Sequence, residues 1–141
     1  ETETEQAQLT AREEIEKAGH RVHSSRILRD EPSQVEGALD ELAEGDTQVI
    51  LLNGGTGISR RDTTFDVVSR KLDKTLPGFG EIFRMLSYAE IGPAAMLSRG
   101  IGGVLAGKIV LTMPGSPAAV RLAMEKLIAP ELAHLVREVR R

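Results

Sequence analysis

Two glycine-rich stretches, one of them close to an acid, are the residues whose types and spacing could do chemistry. GGTG at positions 54–57 follows the apolar run VILLN, and Asp62 stands a few residues later. PGSP at positions 114–117 follows a second apolar run, IVLTM. A glycine backbone can approach a ligand closely and turn its N–H groups toward oxyanions, and a helix N-terminus offers further donors. Both stretches are therefore candidate phosphate-binding sites.

Neither stretch is specific enough to indicate a function by itself. GGTG lacks the G-x-G-x-x-G spacing of dinucleotide-binding loops, and the sequence contains no G-x-x-x-x-G-K-[ST] phosphate loop. A tight turn is the alternative interpretation of each stretch, because glycine turns serve many folds without binding anything. The occurrence of both at the ends of predicted strands, with Asp62 nearby, favours a site.

The nearby acids each have two interpretations. Asp62 would either cap the helix predicted to begin near Thr63 or hold Mg2+, which commonly takes one or two carboxylates together with substrate phosphates. Asp30 would be either a turn residue before Pro32 or a second acid at the same sheet edge. A nucleophilic role for Ser116 is set aside, because the G-x-S-x-G setting and a histidine relay are both missing.

The elements that must position these residues alternate between helix and strand patterns. Apolar runs predict strands at RVHSSRIL, at TQVILLN and in GIGGVLAGKIVLTM, which is either a hairpin or a strand that enters and leaves the sheet. Apolar stripes at helical spacing predict the helices, one of which carries Phe79. The starts or ends of helices are indicated by two capping boxes, at Ser33 to Glu36 and at Thr63 to Asp66, and by Gly19, Gly45, Ser116-Pro117 and Pro130. The order predicts an α/β fold with a largely parallel sheet, which binds ligands at the carboxyl ends of its strands.

Composition narrows the class of protein. With 141 residues we expect one domain, and a net charge of -3 with 3% aromatic residues argues against nucleic acid as a partner. The absence of cysteine excludes thiolate metal sites and suits a cytoplasmic protein, and no stretch is apolar enough to predict a membrane span. The acidic opening ETETEQ is expected to be solvated or disordered, and the start at Glu1 indicates part of a longer translation product.

Longer motifs resemble the MogA/MoaB family of molybdenum cofactor biosynthesis. They are GGTG followed after four residues by Asp62-x-Thr64, PGFGEIFRMLSYAEIGPAAMLSR at 77–99 and LTMPGSPAAVRLAMEKLIAPEL at 111–132, and the likeness runs from about Lys17 to the C-terminus. The resemblance implies one molybdopterin-binding domain over 1–141 with a three-layer α/β/α fold, a trimer or a hexamer, and Mg2+, ATP and molybdopterin as ligands. The implied reaction is adenylyl transfer, in which the terminal phosphate of molybdopterin attacks the α-phosphorus of MgATP. A metal-insertion protein of the pathway is the partner that it suggests.

Site residues follow from the same resemblance. Asp62 and Asp30 match the acids assigned to Mg2+ and to catalysis, and the matches to the binding turns are Gly54, Gly55, Thr56, Gly57, Gly115 and Ser116. The chain departs from the pattern at Asn53, at Phe65-Asp66 and at its start, where the first strand of the family is missing. A non-catalytic protein that binds molybdopterin or assembles a complex is the alternative function.

Overall fold

The computed structural model describes residues 2–141 as six α-helices, two irregular helical turns and four strands. The helices are α1 (Glu3–Lys17), α2 (Pro32–Glu44), α3 (Thr64–Lys71), α4 (Pro77–Ile91), α5 (Pro117–Ala123) and α6 (Ala129–Val139), with a 3-10 helix at Gly92–Leu97 and a π-helical turn at Met124–Ile128. The strands are β1 (Val49–Asn53), β2 (Lys74–Leu76), β3 (Gly102–Leu105) and β4 (Lys108–Met113). None of these helices is both long and apolar enough to cross a bilayer.

The sheet is mixed rather than largely parallel. Its order is β1-β4-β3-β2, in which only β1 and β4 are parallel. β3 and β4 are joined by the two residues Ala106 and Gly107, both with positive φ, and so short a turn can only connect antiparallel strands. The predicted hairpin is therefore confirmed, and it is the reason that the prediction of a largely parallel sheet was wrong.

The predicted strand RVHSSRIL does not form. Residues 21–28 lie outside regular structure, and β1 pairs only with β4 in the described sheet. A strand exists only where a neighbour accepts and donates its backbone hydrogen bonds, and residues 2–141 supply no neighbour for this segment. Consequently α2 follows α1 without a strand between them and does not connect two strands of the sheet.

Helices cover both faces of the sheet and confirm a three-layer α/β/α arrangement. Alternate residues of β4 point to opposite sides: Ile109, Leu111 and Met113 pack with the helices of one layer, and Val110 packs on the other. The first layer contributes apolar residues of α1, α4, α5 and α6, and the second contributes those of α2 and α3. Burial on both faces explains why β1 and β4 have continuous apolar sequences.

Three helix boundaries differ from the predictions. The capping box at Ser33 does not form, because the N-cap of α2 is Glu31 and the helix begins at Pro32, whose fixed φ suits a first helical position. In the acidic opening Glu1 lies outside the described residues, and residues 2–6 are exposed but ordered, since Thr2 and Glu5 form a capping box that starts α1. The chain stays helical through Pro130, and the π-helical turn before it accommodates the missing amide hydrogen.

Close packing of α4 on the sheet predicts that Gly102→Ala destabilises the fold. A Cβ at this buried glycine would lie 2.8 Å from Leu111 Cδ2 and 3.1 Å from Phe79 Cβ. We expect the free energy of unfolding, measured by urea denaturation, to fall by about 1–3 kcal/mol. Gly78→Ala, where an added Cβ meets nothing within 4 Å, is the control, and equal stabilities of the two variants would contradict the packing described here.

Candidate functional site

The two glycine stretches meet at one edge of the sheet. We call residues 54–57 the first glycine loop and residues 114–117 the second. They leave the carboxyl ends of β1 and β4, whose last residues Asn53 and Met113 are directly opposite each other. The Gly54 amide donates to the Met113 carbonyl at 2.9 Å, and a Cβ on Gly115 would lie only 3.2 Å from Gly54 Cα. Both loops therefore present backbone to the same small volume.

Two positions of the first glycine loop, Gly54 and Gly55, require glycine. Gly54 and Gly55 have φ values of 102° and 69°, a region that other residues rarely adopt. The Cβ position of Gly55 is already occupied by the Thr64 side chain, and its carbonyl accepts from the Phe65 amide at 3.3 Å. The loop thus passes directly over the start of α3, and Gly54 and Gly55 add no side chains of their own to cover its backbone.

Asp62 lies against this loop and is held there by Ser59. Its Oδ2 accepts from the Ser59 amide at 2.9 Å and from the Ser59 hydroxyl at 2.8 Å. A Cβ on Gly57 would lie 2.7 Å from the same oxygen, so the carboxylate sits where any other residue would carry its side chain. Asp62 does not cap α3, whose N-cap is Thr63, and the helix-capping interpretation of Asp62 was therefore wrong.

The surroundings of Asp62 keep it ionised. Hydrogen bonds from the Ser59 side chain lower its pKa most, burial opposes them, and the backbone amides of Ser59 and Gly57 and the charge of Arg99 lower the pKa further. A carboxylate that stays anionic beside bare backbone is a suitable ligand for a hard cation.

The lowered pKa predicts a pH-dependent contribution to stability. A group whose pKa is depressed in the folded protein stabilises it above the unfolded pKa, about 3.9 for aspartate, and loses that effect as the pH falls through the folded value. We expect Asp62→Asn to reduce the free energy of unfolding at pH 7, with the difference from wild type shrinking below about pH 4. Urea denaturation at a series of pH values from about 2.5 to about 7 measures this difference, and a difference independent of pH would contradict the assignment.

Asp30 is not brought into contact with this cluster. Its carboxylate is exposed in a bend before α2, and among residues 2–141 no hydrogen bond or ion pair joins it to Asp62 or to either glycine loop. The described residues also contain no group of three or more His, Cys, Asp or Glu side chains that could hold a metal ion. The donor set therefore fits Mg2+ bound jointly with substrate phosphates, and does not fit a cation bound by the protein alone.

Ser116 acts as the predicted helix cap. Its side chain accepts from the Ala119 amide at 3.1 Å, and Pro117 is the first residue of α5. Because the hydroxyl oxygen already caps the helix, the second glycine loop offers a ligand mainly its backbone N–H groups.

The second predicted capping box, at Thr63 to Asp66, does not form. Thr63 has helical backbone angles, its side chain makes no capping bond, and its Oγ1 is buried without a partner among the described residues. Asp66 pairs instead with Arg99, at 3.2 Å between Oδ1 and Nη1. An N-cap side chain reaches the helix amides from an extended backbone, which Thr63 does not have.

Arg99 is the functional candidate that the residue patterns missed. It follows the 3-10 helix after α4, and its guanidinium bonds to residues on both sides of the turn that carries Asp62. A single arginine in a loop has no periodicity to mark it. The only available indication was its position at the end of the long motif at 77–99.

Comparison with known proteins identifies the family. A family model described as a probable molybdopterin binding domain matches residues 4–134. The molybdenum cofactor biosynthesis protein B of Halalkalibacterium halodurans is 51% identical over 139 residues, which are 97% of this chain and 82% of that protein. The chain belongs to the MogA/MoaB family of molybdenum cofactor biosynthesis.

Solved structures of MogA/MoaB proteins have the same fold. A crystal structure of a molybdenum cofactor biosynthesis protein B is 48% identical with a TM-score of 0.91, over 99% of this chain and 89% of that one. The tungsten cofactor synthesizing protein MoaB from Pyrococcus furiosus is 37% identical with a TM-score of 0.83, over 92% of this chain and 81% of that one. The α/β fold implied by the sequence resemblance is thereby confirmed.

Proposed function

We propose that this MogA/MoaB-family protein is a molybdopterin adenylyltransferase. Membership of the family supports a role in molybdenum cofactor biosynthesis and molybdopterin as a ligand. The observation that carries the finer proposal is the contact between the two glycine loops, with an ionised carboxylate against one of them. Such an edge can hold two phosphate-bearing substrates side by side.

The proposed reaction needs no nucleophilic side chain. An oxygen of the molybdopterin phosphate attacks the α-phosphorus of ATP, a new P–O bond forms there, and the bond to the β-phosphate breaks to release pyrophosphate. Since the nucleophile is already an anion, the protein contributes alignment and charge neutralisation. This agrees with a site that contains backbone amides and an acid, and in which the Ser116 hydroxyl oxygen serves as a helix cap.

Each group in the site has a proposed role. The first glycine loop, from Gly54 to Gly57, binds the terminal phosphate of molybdopterin, and Gly115 and Ser116 bind phosphate of ATP through the second loop. Asp62 holds Mg2+ together with the ATP phosphates, and Asp30 is the second proposed acid, reaching the cation only through solvent or substrate. Mg2+ supplies neutralisation of the charge that develops on the phosphates.

A binding or assembly protein without turnover is the alternative function, and one experiment separates the two. The full-length protein is incubated with molybdopterin, ATP and Mg2+, and pyrophosphate release is followed together with molybdopterin binding. We expect release that requires all three components. Saturable molybdopterin binding without pyrophosphate would instead support the alternative.

Self-association is proposed to cover the outer side of α4 and the following 3-10 helix. Large apolar side chains are exposed there, among them Ile82 at 44%, Met85 at 63%, Tyr88 at 62% and Met96 at 76%. Ile82, Met85 and Tyr88 follow one another at three-residue spacing in α4, and exposed apolar patches are typical of interfaces. A second copy of the chain is the proposed occupant, in a trimer or a hexamer.

Met85→Glu is therefore expected to shift the protein to a smaller assembly, because the new charge would be buried without a partner. Size-exclusion chromatography with light scattering measures the mass. Leu9→Glu, at an apolar residue exposed on α1, is the control and should keep the wild-type mass. An unchanged mass for Met85→Glu would contradict the proposed interface.

The cytoplasm is the proposed location, since the substrates of the proposed reaction include ATP. A metal-insertion protein that receives adenylyl-molybdopterin is the proposed partner in the pathway.

A further inference from the structure

We infer that Arg99 is a positioning residue, which fixes the first glycine loop and Asp62 in the geometry that binds molybdopterin. The inference rests on the proposed function for the identity of the ligand. Arg99 acts through the backbone of the loop rather than by contact with the substrate.

Arg99 ties together the two ends of the turn from Gly57 to Asp62. Its Nε donates to the Gly57 carbonyl at 2.8 Å, and its Nη2 donates to the Asp62 carbonyl at 3.0 Å. Its own backbone amide donates to the Thr56 carbonyl at 2.7 Å. Three carbonyls of the loop, at positions 56, 57 and 62, are thus held by one residue that lies far away in sequence.

The guanidinium is itself held in place. Asp66 accepts from Nη1 and Nη2 at 3.2 Å and 3.3 Å, and the Phe65 ring lies beneath the guanidinium with 4.6 Å between its centroid and Cζ. The ion pair is half exposed, with side-chain exposures of 29% for Arg99 and 51% for Asp66, so the pair alone stabilises little. The ion pair instead orients the guanidinium, so that its remaining N–H groups point at the loop.

These contacts need the planar fork of arginine. The fork presents several N–H groups in fixed directions and can stack on an aromatic face, whereas a lysine ammonium is one flexible point charge. No single nitrogen can replace the three separate donors that meet Gly57, Asp62 and Asp66. Loss of the fork, even with the charge kept, would therefore release the turn.

Release of the turn would affect the site through Asp62 and Gly57. The Asp62 carboxylate stays beside Gly57 only while the turn is closed, and two of the carbonyls that Arg99 holds, those of Thr56 and Gly57, belong to the first glycine loop. A loop that must be ordered by its ligand binds more weakly than one that is already ordered. The expected consequence is weaker molybdopterin binding and faster amide exchange in the turn.

Three variants of the full-length protein test this. Arg99→Gln removes the charge and the fork, and Arg99→Lys removes the fork alone. Arg137→Gln is the matched control, since this exposed arginine of α6 makes no side-chain hydrogen bond or ion pair among residues 2–141. Molybdopterin binding is measured by fluorescence titration without ATP, and hydrogen exchange is measured for peptides covering residues 55–62.

We expect both Arg99 variants to raise the Kd for molybdopterin by about tenfold or more and to exchange faster at residues 55–62, with the control unchanged. Wild-type affinity and exchange in Arg99→Lys would overturn the inference, and Arg99→Lys alone carries the test if Arg99→Gln does not fold. If the wild-type protein binds no molybdopterin, the proposed function is contradicted instead. In that case hydrogen exchange still decides whether Arg99 holds the turn.

Discussion

Asp62→Asn is expected to lower the rate of adenylyl transfer by about 100-fold or more with the fold retained. Asparagine keeps an oxygen that can accept from the Ser59 amide and hydroxyl, so the turn has a way to stay closed. It removes the negative charge that is proposed to hold Mg2+ against the ATP phosphates. Steady-state pyrophosphate release, at saturating molybdopterin and with a Mg2+ titration, measures the change.

Asp46→Asn is the control for this prediction. Asp46 is an exposed carboxylate just before β1, at the opposite end of the strand from the first glycine loop. The substitution makes the same change in net charge, so a general electrostatic effect would appear in both variants. A wild-type rate and wild-type Mg2+ dependence in Asp62→Asn would contradict the role proposed for Asp62.

Gly57→Ala has the second large expected effect, because it moves the same carboxylate without changing any charge. The new Cβ would lie 2.7 Å from Asp62 Oδ2 and 3.2 Å from Asp62 Cγ, which is too close for the carboxylate to stay in place. Since Ser59 and the turn hold that carboxylate, it can move only if those bonds break. We expect a loss of adenylyl transfer of about tenfold or more, together with weaker molybdopterin binding.

Gly37→Ala is the matched control for Gly57→Ala. Gly37 lies inside α2, and an added Cβ there meets nothing within 4 Å. This variant should keep full activity and gain roughly 0.5–1 kcal/mol in free energy of unfolding, because alanine favours a helix more than glycine does. Full activity of Gly57→Ala would show that the position of the Asp62 carboxylate does not matter.

The sequence could predict those parts of the fold and site that depend on local patterns. Ser116-Pro117 starts α5 as expected, because a cap and a first-turn proline act within one helical turn. The apolar runs of β1 and β4 predicted strands, and the two glycine loops follow them at the same edge. The resemblance to the family added the fold, which is confirmed, and the roles of the site residues, which stay predictions.

The parts that could not be predicted depend on contacts between distant segments. RVHSSRIL has a strand-like sequence but finds no neighbour to pair with among residues 2–141, and no local pattern indicates whether a neighbour is present. The capping box at Thr63 fails because Thr63 has helical backbone angles and because Asp66 bonds to Arg99, a partner outside the helix. Arg99 itself reaches the first glycine loop from a different loop, so its role was visible only in three dimensions.

The most direct test of the central claim follows a label from the α-phosphate of ATP. The full-length protein is incubated with molybdopterin, Mg2+ and ATP labelled at that phosphate, and the products are separated. The proposed function predicts that the label appears on molybdopterin as an adenylyl group, with unlabelled pyrophosphate released in equal amount. Label that stays in ATP, or that appears as free AMP while molybdopterin remains unmodified, would contradict it.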